Sequence, residues 1–170
     1  MNDTEKLPEH ADVVCYLLLR TDIPSLGRGK AHAHAMHAGN HLTSELIVRP
    51  MMEKRAIDPR ASAWHAQGEG FGTTLAVGGE GQVTLAVLES LLEAALLCGH
   101  LAGRVVDTSY PYQVDDEIMS LLDPASHALP PRRGRGTWTC FRRETTAAWV
   151  LGSKEEMTIL LSQFGLVPND

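Results

Sequence analysis

A run of seven apolar residues, Val13–Leu19, follows a polar opening and shows no polar alternation. Such a run is expected of a strand covered on both faces. Residues 21–29, with Pro24, Gly27 and Gly29, read as a connection. The alanine-rich stretch 30–48 then predicts a helix that stops before Pro50. A weaker helical segment is expected within 51–67, broken by Pro59. A glycine turn at 68–72 leads to a short strand at 73–77, and glycines 78, 79 and 81 turn the chain again. From 82 to 100, Val83, Val87, Leu91, Ala94 and Ala95 recur at helical spacing.

Residues 104–107 read as a third strand, 114–122 as a short helix and 145–151 as a fourth strand. The last helix is expected at 154–164, amphipathic through Met157, Leu160, Leu161 and Phe164. Residues 129–136 hold three arginines, two prolines and two glycines and are expected to be an exposed loop. Strands alternating with helices indicate a single α/β domain: three layers, with a mixed four-stranded sheet flanked by helices. Residues 1–11 read as a disordered tail and 12–170 as the domain. A basic loop insertion is expected near 114–144.

The chain's 170 residues suffice for one core without staples. No apolar run is long enough to span a bilayer, no signal peptide is expected, and the cytoplasm is the default location. Cys15, Cys98 and Cys140 are widely spaced and odd in number, which suits a reducing compartment. The formal net charge of −6 argues against a general nucleic-acid coat, although a local basic patch can still bind RNA.

Candidate chemistry gathers around residues 28–41. Lys30 sits at a glycine-flanked helix entry, where free N–H groups and the helix dipole attract anions. It is either an anion-binding group or a solvated first-turn lysine. His34, His37 and His41 follow at i+4, i+7 and i+11, within about 60° of one helix face. They could exchange protons, stack on a base or hold a metal. Simple burial against the sheet is the stronger alternative for His37. Asp107 ends an expected strand, where it would handle a water or merely bond the backbone of Ser109. Asp22 reads as a loop organiser. Arg132, Arg133 and Arg135, with Trp138, Phe141, Arg142 and Arg143 behind them, form the one basic segment interleaved with aromatics. It is either an RNA surface or a solvated loop.

Residues Arg20-Thr21-Asp22, then Gly29-Lys30 with Ala33, His37 and Ala38, resemble the opening of type 2 peptidyl-tRNA hydrolases. The last helix, opening Lys154-Glu155-Glu156-Met157, is similar to that family's divergent domain-containing branch. The resemblance implies hydrolysis of the ester between peptide and tRNA, with no cofactor or metal, no membrane and often a homodimer. It implies catalytic roles for Lys30, Asp107, Thr146 and His34, the last standing where the family carries glutamine. Arg28, His37, Arg132, Arg133 and Arg135 would contact peptidyl-tRNA or other RNA. The family's loop Asp-x-Gly-Arg-Thr is Asp107-Thr108-Ser109-Tyr110-Pro111 here, and Thr146 approximates the threonine of its fourth strand. Two alternatives stay open: a non-catalytic RNA-binding module of the same fold, and a metal-binding protein using the histidine face.

Overall fold

A computed structural model of the chain describes residues 12–23, 28–67, 72–77 and 83–166, without the side chains of residues 28, 29 and 124. The tail at 1–11, the connection at 24–27 and the glycine turn at 78–81 lie outside the described residues. Strand β1 (Val13–Leu19) leads to helix α1 (Arg28–Thr43). A π-helical turn, Ser44–Val48, carries that helix directly into α2 (Arg49–Met52). The expected stop before Pro50 is therefore corrected. Arg49 bonds back to the carbonyl of Ser44, five residues earlier, and Pro50, the second residue of α2, follows this π turn. Pro59 likewise opens a helix rather than breaking one. It is the first residue of α3 (Pro59–Ala66), capped by the Asp58 carboxylate on the N–H of Arg60.

Strand β2 (Thr74–Val77) precedes α4 (Leu85–Leu97), whose N-cap Thr84 accepts from the N–H of Val87. Then come β3 (Leu101–Val114), α5 (Asp116–Leu121), β4 (Leu129–Arg133), β5 (Trp138–Ser153) and α6 (Lys154–Ser162). The expectation of a mixed sheet flanked by helices holds, with a fifth strand added. The main path runs β2-β1-β5-β3, with β1 and β2 parallel and the other pairs antiparallel.

β1 is buried on both faces. Val14, Tyr16 and Leu18 join Ala148 and Val150 under α4 and α6. Val13, Cys15 and Leu17 join Ala147, Trp149 and Leu151 beneath α1 and α3. Period-two alternation thus splits one apolar run between two helical layers. Burial of that kind is worth roughly 1.5–3 kcal/mol for each large aliphatic side chain. Gly103 makes room for the second layer, since a Cβ there would fall 2.3 Å from the Trp149 indole.

Strand β5 has two neighbours along one edge. Residues 147–153 pair with β1, and residues 138–141 pair with β4. β3 runs along the opposite edge of β5 for nearly its whole length. Beyond the main sheet, β3, β5 and β4 thus form a three-stranded ribbon. The expectation of an exposed loop at 129–136 is corrected here: Leu129–Arg133 is a strand, although most of it is exposed. An outermost strand tolerates prolines and charges, and the register irregularity between Leu129 and Arg132 falls on Pro130 and Pro131.

Candidate functional site

The segment after β1 is tied down on both sides. The Arg20 guanidinium is buried and donates two hydrogen bonds to the Asp22 carboxylate, at 2.8 and 2.9 Å. It also donates to the Glu144 carboxylate and, at 2.9 Å, to the carbonyl of Thr145. Arg20 holds the Asp22 carboxyl below its ordinary range, chiefly by donating hydrogen bonds to it. Thr21 exchanges two bonds with Val83: its N–H donates to the carbonyl, and its hydroxyl accepts from the N–H. Arg20-Thr21-Asp22 therefore organises the approach to α1 and the entry to α4, and the loop-organiser reading of Asp22 stands.

In the first turn of α1, the Lys30 ammonium lies 5.2 Å from the centre of the Tyr110 ring. Among the described residues it forms no ion pair. One turn later, the His34 ring packs against the same tyrosine, with centroids 5.7 Å apart. His34 is buried at 3% exposure. Burial, foremost, depresses its pKa, helped by Lys30 and His37 and opposed by the Asp107 carboxylate. Asp107 therefore acts electrostatically on a helix that is remote from it in sequence. Its Oδ1 also accepts from the backbone N–H of Ser109 at 2.8 Å, the turn geometry foreseen as its structural alternative. Thr146 is fully buried. Its hydroxyl oxygen and His34 Nδ1 lack hydrogen-bond partners among the described residues.

A bulge between Asp107 and Tyr110 sets this arrangement. Irregular pairing there re-aims the tyrosine towards α1. A cleft of about 480 Å³ opens beside it, lined by Ile23, Lys30, residues 110–113, Thr139 and Arg142. That volume lies in the range of clefts that take small ligands. At the cleft, the Arg142 guanidinium lies 5.0 Å from the centre of the Tyr112 ring and pairs with Glu144 at 2.6 Å. Sequence reasoning passes over Tyr112, which falls between the Asp107–Pro111 loop and the insertion expected near 114–144. The signal available was Tyr110-x-Tyr112, whose spacing puts both rings on one face of a strand.

The three histidines divide among different environments. His34 is the buried one, whereas His37 is exposed, contrary to its expected burial against the sheet. On α1 the inward row is His34, Ala38 and Leu42, at i, i+4 and i+8, and His37 falls outside it. His41 Nδ1 accepts from the Trp149 indole N–H at 3.1 Å. Among the described residues no cluster of three or more His, Cys, Asp or Glu side chains is placed to hold a metal.

The arginines of the ribbon do not act as one patch. Arg133 pairs with Trp138, which in turn opposes Val114, while Arg132 pairs with Thr139. Side chains alternate along each strand, so the two arginines point to opposite faces. Their partners agree: Arg132 lies over the Phe141 ring, whereas Arg133 lies over Trp138 and pairs with Asp116. Tyr110, Tyr112 and Arg142 share the Arg133 face. On that face α5 packs Met119 against Cys140, sulfur to sulfur at 3.6 Å. Arg135 is exposed between β4 and β5, and the Arg28 side chain lies outside the described residues.

Lys30, His34 and Asp107 thus belong to one region where α1 meets β3, whereas Thr146 is buried in β5 and Arg132, Arg133 and Arg135 are distributed over the ribbon. No helix among the described residues is long and apolar enough to cross a membrane. Comparison with protein-family models finds no match to this chain, and neither does comparison with curated protein sequences.

Proposed function

We propose that the protein hydrolyses the ester that joins a peptide to the terminal ribose of tRNA. The observation that carries this reading is the meeting of the Lys30 ammonium, which forms no ion pair among the described residues, the Asp107 carboxylate and the buried His34 ring where α1 packs on β3. The resemblance of Arg20-Thr21-Asp22 and Gly29-Lys30 to type 2 peptidyl-tRNA hydrolases supports the same reaction. In it, the oxygen of a water bonds to the ester carbonyl carbon, and the water's proton passes to Asp107. Lys30 stabilises the negative charge that develops on the carbonyl oxygen. Collapse breaks the bond to the ribose oxygen, which takes the proton. Free tRNA and the peptide acid leave, the acid giving up its remaining proton to solvent as the carboxylate. His34 and Thr146 contact the substrate and fill their open hydrogen-bonding capacity. Hydrolysis in this form draws on no cofactor. Such a substrate places the work in the cytoplasm, and a homodimer fits the family resemblance.

A second reading, an RNA-binding module of the same fold without catalysis, draws on one observation. Asp107 Oδ1 is already committed to Ser109, so the carboxylate serves a turn before it serves a water. Turnover of an N-acetylated aminoacyl-tRNA by the purified protein, with and without chelator, separates the readings. Turnover that survives chelator supports the hydrolase. RNA binding without turnover supports the binding module, and turnover abolished by chelator rejects both.

A further inference from the structure

We infer that the Arg142–Tyr112 couple is a stacking subsite for one unpaired nucleobase, placed so that Lys30 meets the backbone of the same RNA strand. The inference rests on the RNA-end reading of the cleft and adds to it the form of the ligand. Tyr110 and Tyr112 are two positions apart on β3 and share a face, about 7 Å apart along the strand. Each ring carries a cation: Lys30 over Tyr110 and Arg142 over Tyr112. The two couples differ in what they offer. Tyr110 is 1% exposed, so its ring orients the ammonium and has no open face for a base. Tyr112 is only partly buried, and the Arg142 side chain is 48% exposed. A guanidinium lying over an aromatic ring presents its outer plane, and nucleobases stack on such planes.

Arg142 is held where it is. Glu144 pairs with it through one oxygen and with the buried Arg20 through the other, while Arg20 is also fixed by Asp22. These two carboxylates and two guanidiniums balance, so this network adds no net charge. Among the described residues that line the cleft, Lys30 is the cation left to meet a phosphate. The arrangement therefore suits a strand with an exposed base beside an anionic backbone. In a duplex the bases are already stacked and unavailable. An acidic peptide would use the charges and leave the stacking plane empty.

The test uses fluorescence anisotropy with a labelled oligoadenylate of about six nucleotides, a length within known single-strand site sizes. It is measured single-stranded and annealed to its complement. We expect the single strand to bind at least ~10-fold more tightly than the duplex, and Tyr112→Ala to weaken single-strand binding by ~10-fold or more. Tyr112→Phe, which keeps the ring and guards against a folding artefact, should bind like the parent. Arg142→Ala should weaken binding with little change in the salt slope, because its charge is balanced by Glu144 and it offers a stacking plane rather than a phosphate contact. Parent-like binding by a folded Tyr112→Ala variant, equal affinity for duplex, or equal competition by a polyglutamate peptide would each overturn the subsite. Its failure is distinguishable from failure of the hydrolase reading. Single-strand binding lost in Tyr112→Ala without turnover in the parent leaves the subsite and rejects the enzyme, and turnover with parent-like binding in Tyr112→Ala does the reverse.

Discussion

His34 is a side chain whose ionisation this structure opposes. It is buried, with Lys30 and His37 adding positive charge, Asp107 alone opposing, and Tyr110 packed on its ring. Its pKa in the folded protein lies below the ordinary 6.5, so the unfolded chain binds a proton that the folded chain resists. Stability contributed through His34 therefore rises with pH in the window just below 6.5 and is lost as pH falls through it. His34→Gln, which installs a residue without a titrating group, should flatten that part of the profile. Urea unfolding at pH 5.5 and 7.5 measures it, and an unchanged difference between the two would remove His34 from the account. Lys30→Ala should lower turnover at least ~100-fold, as for the loss of one electrostatic stabiliser. Helix content should hardly change, because alanine is an excellent helix former. Lys30 was legible from the glycine-flanked helix entry. The inward placement of His34 rather than His37 was not, because four residues at i, i+4, i+7 and i+11 share a broad face. Only the packing row through Ala38 and Leu42 decides which of them turns inward.

At the scale of elements, β1, α4 and α6 were legible because a continuous apolar run and helical apolar spacing each admit one arrangement. The ribbon was not. β4 reads as a loop because Pro-Pro-Arg-Arg is poor strand sequence everywhere except at an edge, where missing N–H groups and charges are tolerated. The helix through Pro50 was missed for a related reason: a π turn supplies a local geometry that standard stop signals ignore. Sheet and helical layer meet most tightly at Gly103. Gly103→Ala should cost about 1–3 kcal/mol, because its Cβ would enter the Trp149 ring and displace the indole that bonds His41. Chemical denaturation of the variant checks this, and parent-like stability would mean that the indole relocates freely.

Across the whole molecule, a formal charge of −6 coexists with a cleft in which Lys30 forms no ion pair among the described residues. Net charge therefore says little about where an anionic ligand is met. The sequence order of strands and helices sufficed to anticipate one α/β domain with helices on both faces of the sheet. It could not show that β5 serves two partners in succession along one edge, because that depends on pairing between distant segments. This division of β5 has a consequence for local opening. Strand pairing along that edge lapses at residues 142–146, where Arg20 supplies side-chain and backbone bonds in place of a neighbouring strand. The main sheet is clamped between two apolar layers, whereas the ribbon has α5 on one face alone. Unzipping the ribbon should therefore take less free energy than unfolding the domain. Native-state amide exchange should show Tyr112 and Cys140 losing their deuterium protection well before Tyr16 and Val150, through openings insensitive to low denaturant. Equal protection at all four amides would mean that ribbon and sheet open as one cooperative unit.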